Sequence, residues 1–501
     1  MKKILLVPLL CAFLFACSSL QPVFLAKEVT NAPADARVWR EIERSYSGDW
    51  QVPLNDGKTA LAWRLRAIDS AESSIDLQTF LWTFDTVGEQ VLSRLLIAAD
   101  RGVSIKLLID DSFLAGKDGT LLALEKHENI EYRIYNPYKR RSNSIISRTV
   151  LNLGEFHRLD HRMHNKALIV DNQVAIVGGR NIADEYFGVD ESANFRDMEL
   201  LIGGPIVEEV SLSFDNYWND QWAFPVSEIS HVKTNRLDQE DILADADRVG
   251  RYYDESSEDE NNTLWLEIAR SAFRGKVELY VDEPPAGNPA NVTNQPVQVA
   301  DELNKLIGNA KREIIIVSAY LIPSQRLTNS LAEAVRRGVK VRILTNSIRS
   351  NNHLAAHSAY QNHVRGLLAS GVELHEVRAE AKERYRYILS PVEQKKLGLH
   401  AKYLIIDRDI VFIGSANLDP RSLRINTEIG VLVRDRKLNQ ELRDLTDPDF
   451  QKSNAWQLAI EDDQRLVWIG DDIVLDAQPA SSVFQRVEDW FFAHLPIEGE
   501  L

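Results

Sequence analysis

Two histidines, two lysines and two asparagines recur in this chain in a single register. The first string is His164-Asn165-Lys166, then Asp171, then Gly178-Gly179-Arg180-Asn181. The second is His400-Ala401-Lys402, then Asp407, then Gly414-Ser415-Ala416-Asn417. Each position of the second lies 236 residues after its counterpart. Such a register implies one active site assembled from two halves, with two imidazoles facing one phosphate. A phosphodiester resists attack because its charge repels nucleophiles and its alkoxide leaves poorly. One imidazole could attack phosphorus and form a phosphohistidine. The other could protonate the leaving oxygen and then deprotonate the incoming acceptor. An imidazole pKa near ~6.5 suits both tasks.

The other repeated residues complete this chemistry. Lys166 and Lys402 would neutralise the non-bridging oxygens, and Asn181 and Asn417 would donate hydrogen bonds to them. Because the lysines bring positive charge, neither a metal ion nor a cofactor is called for. Each histidine also needs an acid to hold its second ring nitrogen. Glu428 in Asn426-Thr427-Glu428-Ile429 supplies one, and Asp197 in Phe195-Arg196-Asp197-Met198 supplies the other. Aligning these two as starts of equivalent strands requires a five-residue insertion in the first half, which leaves Glu199 as a substitute for Asp197. Arg180 stands where the second copy has Ala416 and is a candidate for a second phosphate, or else a salt-bridge residue. Arg421 and Arg424 are similar candidates on the other side. A rival reading groups His157, His161 and His164 as metal ligands on one helical face, but the Gly and Leu around them favour a loop.

These residues need elements to position them. Ala167 to Val177 and Tyr403 to Ile413 each read as strand, Asp turn, strand. Asp171 and Asp407 therefore sit at hairpin reversals as scaffold rather than as catalysts. Before the first hairpin, a helix around Ala60 to Ala71, a strand Ser74 to Trp82, a helix through Leu92 to Arg101 and a strand Val103 to Ile109 follow one another. Before the second come a helix around Val299 to Ala310, a strand Glu313 to Leu321, a helix through Leu331 to Arg337 and a strand Val339 to Leu344. Arg101-Gly102-Val103 and Arg337-Gly338-Val339 repeat the same helix-to-strand junction. The expected fold is α/β: two pseudo-symmetric α-β-α repeats with mixed, mostly parallel sheets packed together, and one active site at their interface. The repeats span 59–235 and 299–450. Residues 17–58 read as a tether with a short helix near Arg37 to Ser45, and 236–298 as an acidic linker with connecting loops. Residues 451–501 read as a helical extension packed on the second repeat through Trp468, Trp490, Phe491 and Phe492. Membrane contact is the lesser reading of those aromatics.

Composition narrows the substrate. The chain has 501 residues, 44% hydrophobic and 26% charged, enough for two or three domains. Its formal net charge of -16 argues against bulk nucleic-acid binding, which needs an extended basic face. Met1-Lys2-Lys3 and the apolar run Ile4 to Ala16 make an export signal over 1–16, too short to span a bilayer comfortably. Leu14-Phe15-Ala16-Cys17 resembles a bacterial lipoprotein signal box. That resemblance implies cleavage before Cys17, lipid on its sulfur and, with Ser18 following, an outer-membrane position facing the periplasm. An uncleaved anchor is the alternative. The only two cysteines, Cys11 and Cys17, lie in this signal, so the mature chain has no thiol for a disulfide or zinc site.

Both strings match the HxKxxxxD motif, and the chain from about Thr59 to Asp435 resembles the phospholipase D superfamily. His164 to Gly188, Leu399-His-Ala-Lys, Asp419-Pro-Arg-Ser and Asn426-Thr-Glu are similar to the bacterial cardiolipin synthase C-type group within it. The resemblance implies a phosphatidyltransferase or phospholipase D acting on phospholipid at a membrane surface, with His164 as nucleophile and His400 as acid/base. Cardiolipin would be the product if phosphatidylglycerol is the acceptor, and a monomer is expected. A secreted nuclease or other phosphodiesterase is the alternative of the same chemistry, and a non-catalytic phosphate-binding lipoprotein is a third.

Overall fold

In the computed structural model the described residues are 19–28, 37–230, 232, 257–285 and 298–494. Cys17 with its signal, and most of the acidic segment, lie outside them.

Each half is built around one large sheet. The first runs in the order Trp50–Leu54, Glu199–Gly203, Val174–Gly178, Ala167–Val170, Ser74–Thr79, Ser104–Asp110, Ile130–Tyr135, Ala223–Pro225. The second repeats that order with Lys276–Val281, Ile429–Arg434, Ile410–Gly414, Lys402–Ile406, Glu313–Ser318, Lys340–Asn346 and Glu373–Val377, and then extends through Ala455–Ile460, Leu466–Ile469 and Val474–Leu475. Runs such as Ile314-Ile315-Ile316-Val317 are fully buried, so these central strands are covered on both faces.

The helices before the parallel strands are closed at both ends by their own sequence. Asp85 caps Thr86–Asp100 by accepting from Gly88 N, and Ser324 caps Gln325–Arg336 by accepting from Leu327 N. Both chains then turn through a glycine of positive φ, Gly102 at +94° and Gly338 at +85°.

The sheets are mixed, but the expected parallel majority is corrected. Among the described residues of these two sheets only Ser74–Thr79, Ser104–Asp110 and Ile130–Tyr135, and their counterparts in the second half, pair in parallel. The motif hairpins and the strands flanking them are antiparallel, because a tight turn returns the chain along its neighbour. A shared core joins the halves, with Ile169, Val177 and Leu200 of the first sheet in one cluster with Val317, Ile405 and Val431 of the second.

Three segments are more structured than their composition suggests. Residues 19–28 lie against the first half, where Glu28 pairs with Lys106 and Arg133, and Trp50–Leu54 forms an edge strand. The region read as linker holds the helix Glu258–Ser271, whose Trp265 packs edge-on to Trp39 and Trp63, and the strand Lys276–Val281, which edges the second sheet. The region read as a helical extension begins with three strands, and only Val483–Ala493 is helical. Trp468 is buried in that sheet, whereas Trp490 and Phe491 face outward.

Candidate active site

The hairpin turns are fixed by their acids. The Asp171 carboxylate accepts from the Trp39 indole and from the backbone N–H of Glu72, Ser73 and Ser74 at 2.8–2.9 Å. Asp407 accepts from the N–H of Lys311, Arg312 and Glu313. Both take positive φ at the reversal. Each motif aspartate thus ties its hairpin to the start of the neighbouring strand, and neither lines the cavity described next.

The two histidines meet their acids across the halves. Leu397-Gly398-Leu399 pairs in parallel with Asn194-Phe195-Arg196, and His400 N donates to Arg196 O, so His400 comes level with Asp197. His400 Nδ1 lies 2.7 Å from Asp197 Oδ2. On the other side Met163 bridges Thr427 in parallel and His164 N donates to Thr427 O. That brings His164 Nδ1 to 2.8 Å from Glu428 Oε2. Holding Nδ1 of each ring leaves its Nε2 for chemistry. Phe80 edges the His164 ring and Tyr186 edges the His400 ring, with centroids 4.9 Å and 4.8 Å apart.

Both imidazoles, with Asn181 and Asn417, line one cavity of about 710 Å³. Oδ1 of each asparagine is buried there without a hydrogen-bond partner. Buried amide oxygens are rarely left unpaired; a flip of either amide would present its NH2 end, the donor, to a ligand oxygen. The walls include Phe80, Phe113, Leu153, Phe156, Tyr186 and Tyr320, an apolar lining around a polar floor.

The lysines sit behind this floor. Lys166 Nζ donates to His164 O at 2.7 Å, and Lys402 Nζ donates to His400 O. Both are fully buried, and burial lowers their affinity for a proton, to about 7 for Lys166 and about 8 for Lys402. Burial, then the adjacent lysines, also lowers both imidazoles, His164 well below its ordinary value and His400 to about 3. Lys402 Nζ stands 2.9 Å from His400 Nδ1, a donor facing a donor, so the ring proton on that nitrogen points to Asp197.

The two acids differ. Burial opposes ionisation of both. For Asp197, His400, Lys402 and Arg180 outweigh burial and hold the carboxyl well below the usual range. For Glu428 burial prevails, and its pKa is pushed up to about 7.

Arg180 is not a ligand for a second phosphate. Its side chain is 1% exposed and is spent on the carbonyls of Leu54, Asn55, Tyr186 and Asp197 and on Glu199. Glu199 pairs with Arg64 and Arg180, so it belongs to this structural network rather than to a histidine. Arg424 is exposed and lies outside the cavity lining. Arg421 does reach the lining, where it pairs with Asp160 across the halves. Among the described residues no group of His, Cys, Asp and Glu is arranged to hold a metal ion. Sequence reasoning gave no role to Phe80, Tyr186 or Asp419. Asp419 lines the cavity, and burial raises it to about 6. Its signal was the Asp419-Pro-Arg-Ser phrase, and Tyr186 stood within the phrase His164 to Gly188; Phe80 had none, since its contact with the imidazole is set by folding.

Comparison with known proteins shows the family and the fold. Residues 65–218 and 303–449 match the family model described as cardiolipin synthase, PLD-like domain. The chain is similar to cardiolipin synthase C of Escherichia coli, 33% identical over 89% of this chain and 95% of that one. It is 26% identical to cardiolipin synthase 1 of Staphylococcus epidermidis over 82% of this chain and 70% of that one. Among solved structures, phosphatidylserine synthase of Haemophilus influenzae shares the fold, with a TM-score of 0.53 at 14% identity, covering 84% of this chain and 92% of that one.

Proposed function

Because the chain belongs to the cardiolipin synthase family of phospholipase D-like proteins, we propose that its paired site transfers phosphatidyl groups between phospholipid alcohols through a phosphohistidine. The observation that carries this reading is the shared cavity, in which two imidazoles are each held at Nδ1 by an acid from the opposite half.

His164 acts as nucleophile and His400 as acid and base. Asp197 is ionised and its charge favours a proton on His400, while burial and Lys402 keep the resting ring neutral, so His400 takes up its proton as phosphate charge enters the site and then serves as general acid. His164 feels Lys166 and Lys402 and stays neutral, the state a nucleophile needs. Nε2 of His164 bonds to phosphorus while the phosphorus–alkoxide bond breaks and His400 protonates the leaving oxygen. An acceptor hydroxyl then enters, gives its proton to His400, bonds to phosphorus and frees His164. Asn181 and Asn417, whose Oδ1 atoms have no partner, turn their NH2 groups toward the non-bridging oxygens. Lys166 and Lys402 gain protons as phosphate charge enters beside them. The apolar walls take the acyl side of the donor, and a phosphatidylglycerol acceptor makes the product cardiolipin. We place the mature chain on the outer membrane, facing the periplasm and anchored through lipid on Cys17, where it would remodel existing lipid.

The test is turnover of mixed phospholipid vesicles, with duplex DNA as a parallel substrate. His164→Ala and His400→Ala should each lower lipid turnover by about a thousand-fold or more. DNA cleavage without lipid turnover would overturn the lipid reading. Trapping the phosphoryl adduct should label His164, and a label on His400 would reverse the two roles.

A further inference from the structure

We propose that two helices with outward apolar faces, Ile145–Leu151 in the cavity wall and Val483–Ala493 packed on the wall helix Leu354–Ala369, seat the protein on a phospholipid bilayer with the cavity opening onto the lipid. The proposal rests on the lipid reading above.

Both helices are turned the opposite way from ordinary surface helices. Ile145–Leu151 is fastened through its polar side: Arg148 is buried and pairs with Asp111 at 2.8 Å and Asp118 at 3.2 Å. Its apolar side faces out, with Ile146 77% and Val150 58% exposed. Val483–Ala493 is likewise held by a polar anchor. Asp489 is buried, 2.8 Å from His357 Nδ1, and accepts from Ser358 Oγ at 2.7 Å. Val483, Phe484, Val487, Trp490 and Phe491 are all more than half exposed. At about 100° per residue these five fall on one side of the helix, opposite Asp489. Water is the wrong solvent for such faces, and exposed apolar patches of this kind mark contact surfaces.

Three observations choose a bilayer as the occupant. First, both patches adjoin the cavity. Thr149, Leu153 and Phe156 line it from the first helix and the turn that follows. His353 and Ala356 line it from the start of the helix whose next turn, His357 and Ser358, holds Asp489. On the first side the exposed Leu151, Leu153 and Phe156 carry apolar surface from the cavity wall to the outer face, the path an acyl chain needs. Second, the amino-terminal segment is fastened to the same rim. Leu20 N donates to Glu155 Oε2 at 3.1 Å, and Lys139 Nζ donates to Ser19 O at 3.1 Å. Cys17 is two residues from Ser19, about 7 Å of chain at full stretch, so lipid on its sulfur would enter the bilayer beside the cavity mouth. Third, among the described residues no helix is long and apolar enough to cross a membrane, so contact through these elements is interfacial.

The test uses the full chain on vesicles of phosphatidylethanolamine and phosphatidylglycerol. Two variants carry charge on the outer faces, Ile146→Asp with Val150→Asp, and Phe484→Asp with Phe491→Asp. Each should lower turnover of vesicle lipid by about ten-fold and leave turnover of a monomeric short-chain phospholipid unchanged. Unchanged vesicle turnover in both would overturn the proposal, as would a fall in particle mass by sedimentation, which would assign the faces to a second copy. Failure of the parent chain on the short-chain lipid would instead sink the enzymatic reading. A second measurement needs no turnover. Brominated acyl chains should quench a component of the parent's fluorescence that is missing from Trp490→Phe, and the absence of that component contradicts bilayer seating.

Discussion

Asp197 and Glu428 hold equivalent histidines but are built differently. Asp197 fits because Gly179 has no side chain; a Cβ there would lie 2.4 Å from Asp197 Oδ1. The equivalent position in the second half is Ser415, whose hydroxyl donates to Glu428. The shorter acid is surrounded by His400, Lys402 and Arg180 and stays ionised, while the longer one is raised to about 7 by burial. Substituting them should therefore have unequal effects. Asp197→Asn removes a permanent charge beside the general acid and should lower kcat by about a hundred- to ten-thousand-fold. Glu428→Gln removes a charge that is only partial near neutrality. It should cost less and should shift the limb of the pH–rate profile near pH 7, where Lys166 also titrates. Equal losses with an unchanged profile would contradict the assigned asymmetry. At this scale much was legible from sequence: the histidines, lysines and asparagines line up once the register is seen, and the two acids follow when a five-residue insertion is allowed. Arg180 was not legible, because an arginine reads the same whether it faces a phosphate or five buried oxygens.

The elements hold the site by pairing rather than by proximity along the chain. Met163 with Thr427 and Leu399 with Arg196 are short parallel contacts, and each ends one residue before a histidine and its acid. The hairpins and their Asp turns were readable because a tight turn needs special backbone angles and few residue types supply them. The strand directions were less readable, since alternation of helix and strand is compatible with either pairing. The central strand Ser74–Thr79 carries a test of its own. Asp76 is buried, and burial raises its pKa to about 7 despite Lys106, with Asp215 and Glu28 adding to the rise. The folded state therefore binds this proton more tightly than the unfolded chain. Its stabilising effect is complete below the unfolded value of 3.8 and is lost as pH rises through about 7. Asp76→Asn should thus raise Tm by several degrees at pH 8 relative to the parent and give a smaller gain at pH 5. An equal gain at both pH values would show that the carboxyl does not titrate in this range.

Taken as one molecule, the two halves are a single catalytic unit. Each histidine depends on an acid from the other half, the shared core joins the sheets, and Glu258–Val281 packs a helix on the first half before adding a strand to the second. A protease site inserted within 286–297 should give a cleaved protein that migrates as one particle and keeps full activity. The fragments made separately should have none, and an active fragment would contradict a composite site. The sequence by itself determined the repeat, the histidines, lysines and asparagines that recur in it, and the family to which the chain belongs. Identity and spacing are one-dimensional, and a register of 236 residues survives without any fold being known. Only the tertiary structure decided which acid serves which histidine, that the lysines sit behind the imidazoles, that Arg180 is structural, and that the apolar faces of Ile145–Leu151 and Val483–Ala493 flank the cavity. The acid pairing relates residues more than 200 positions apart, and the contacts of the lysines and Arg180, though shorter in sequence, also depend on how the strands pack. They are fixed by sheet register and by competition for burial, which no local pattern records.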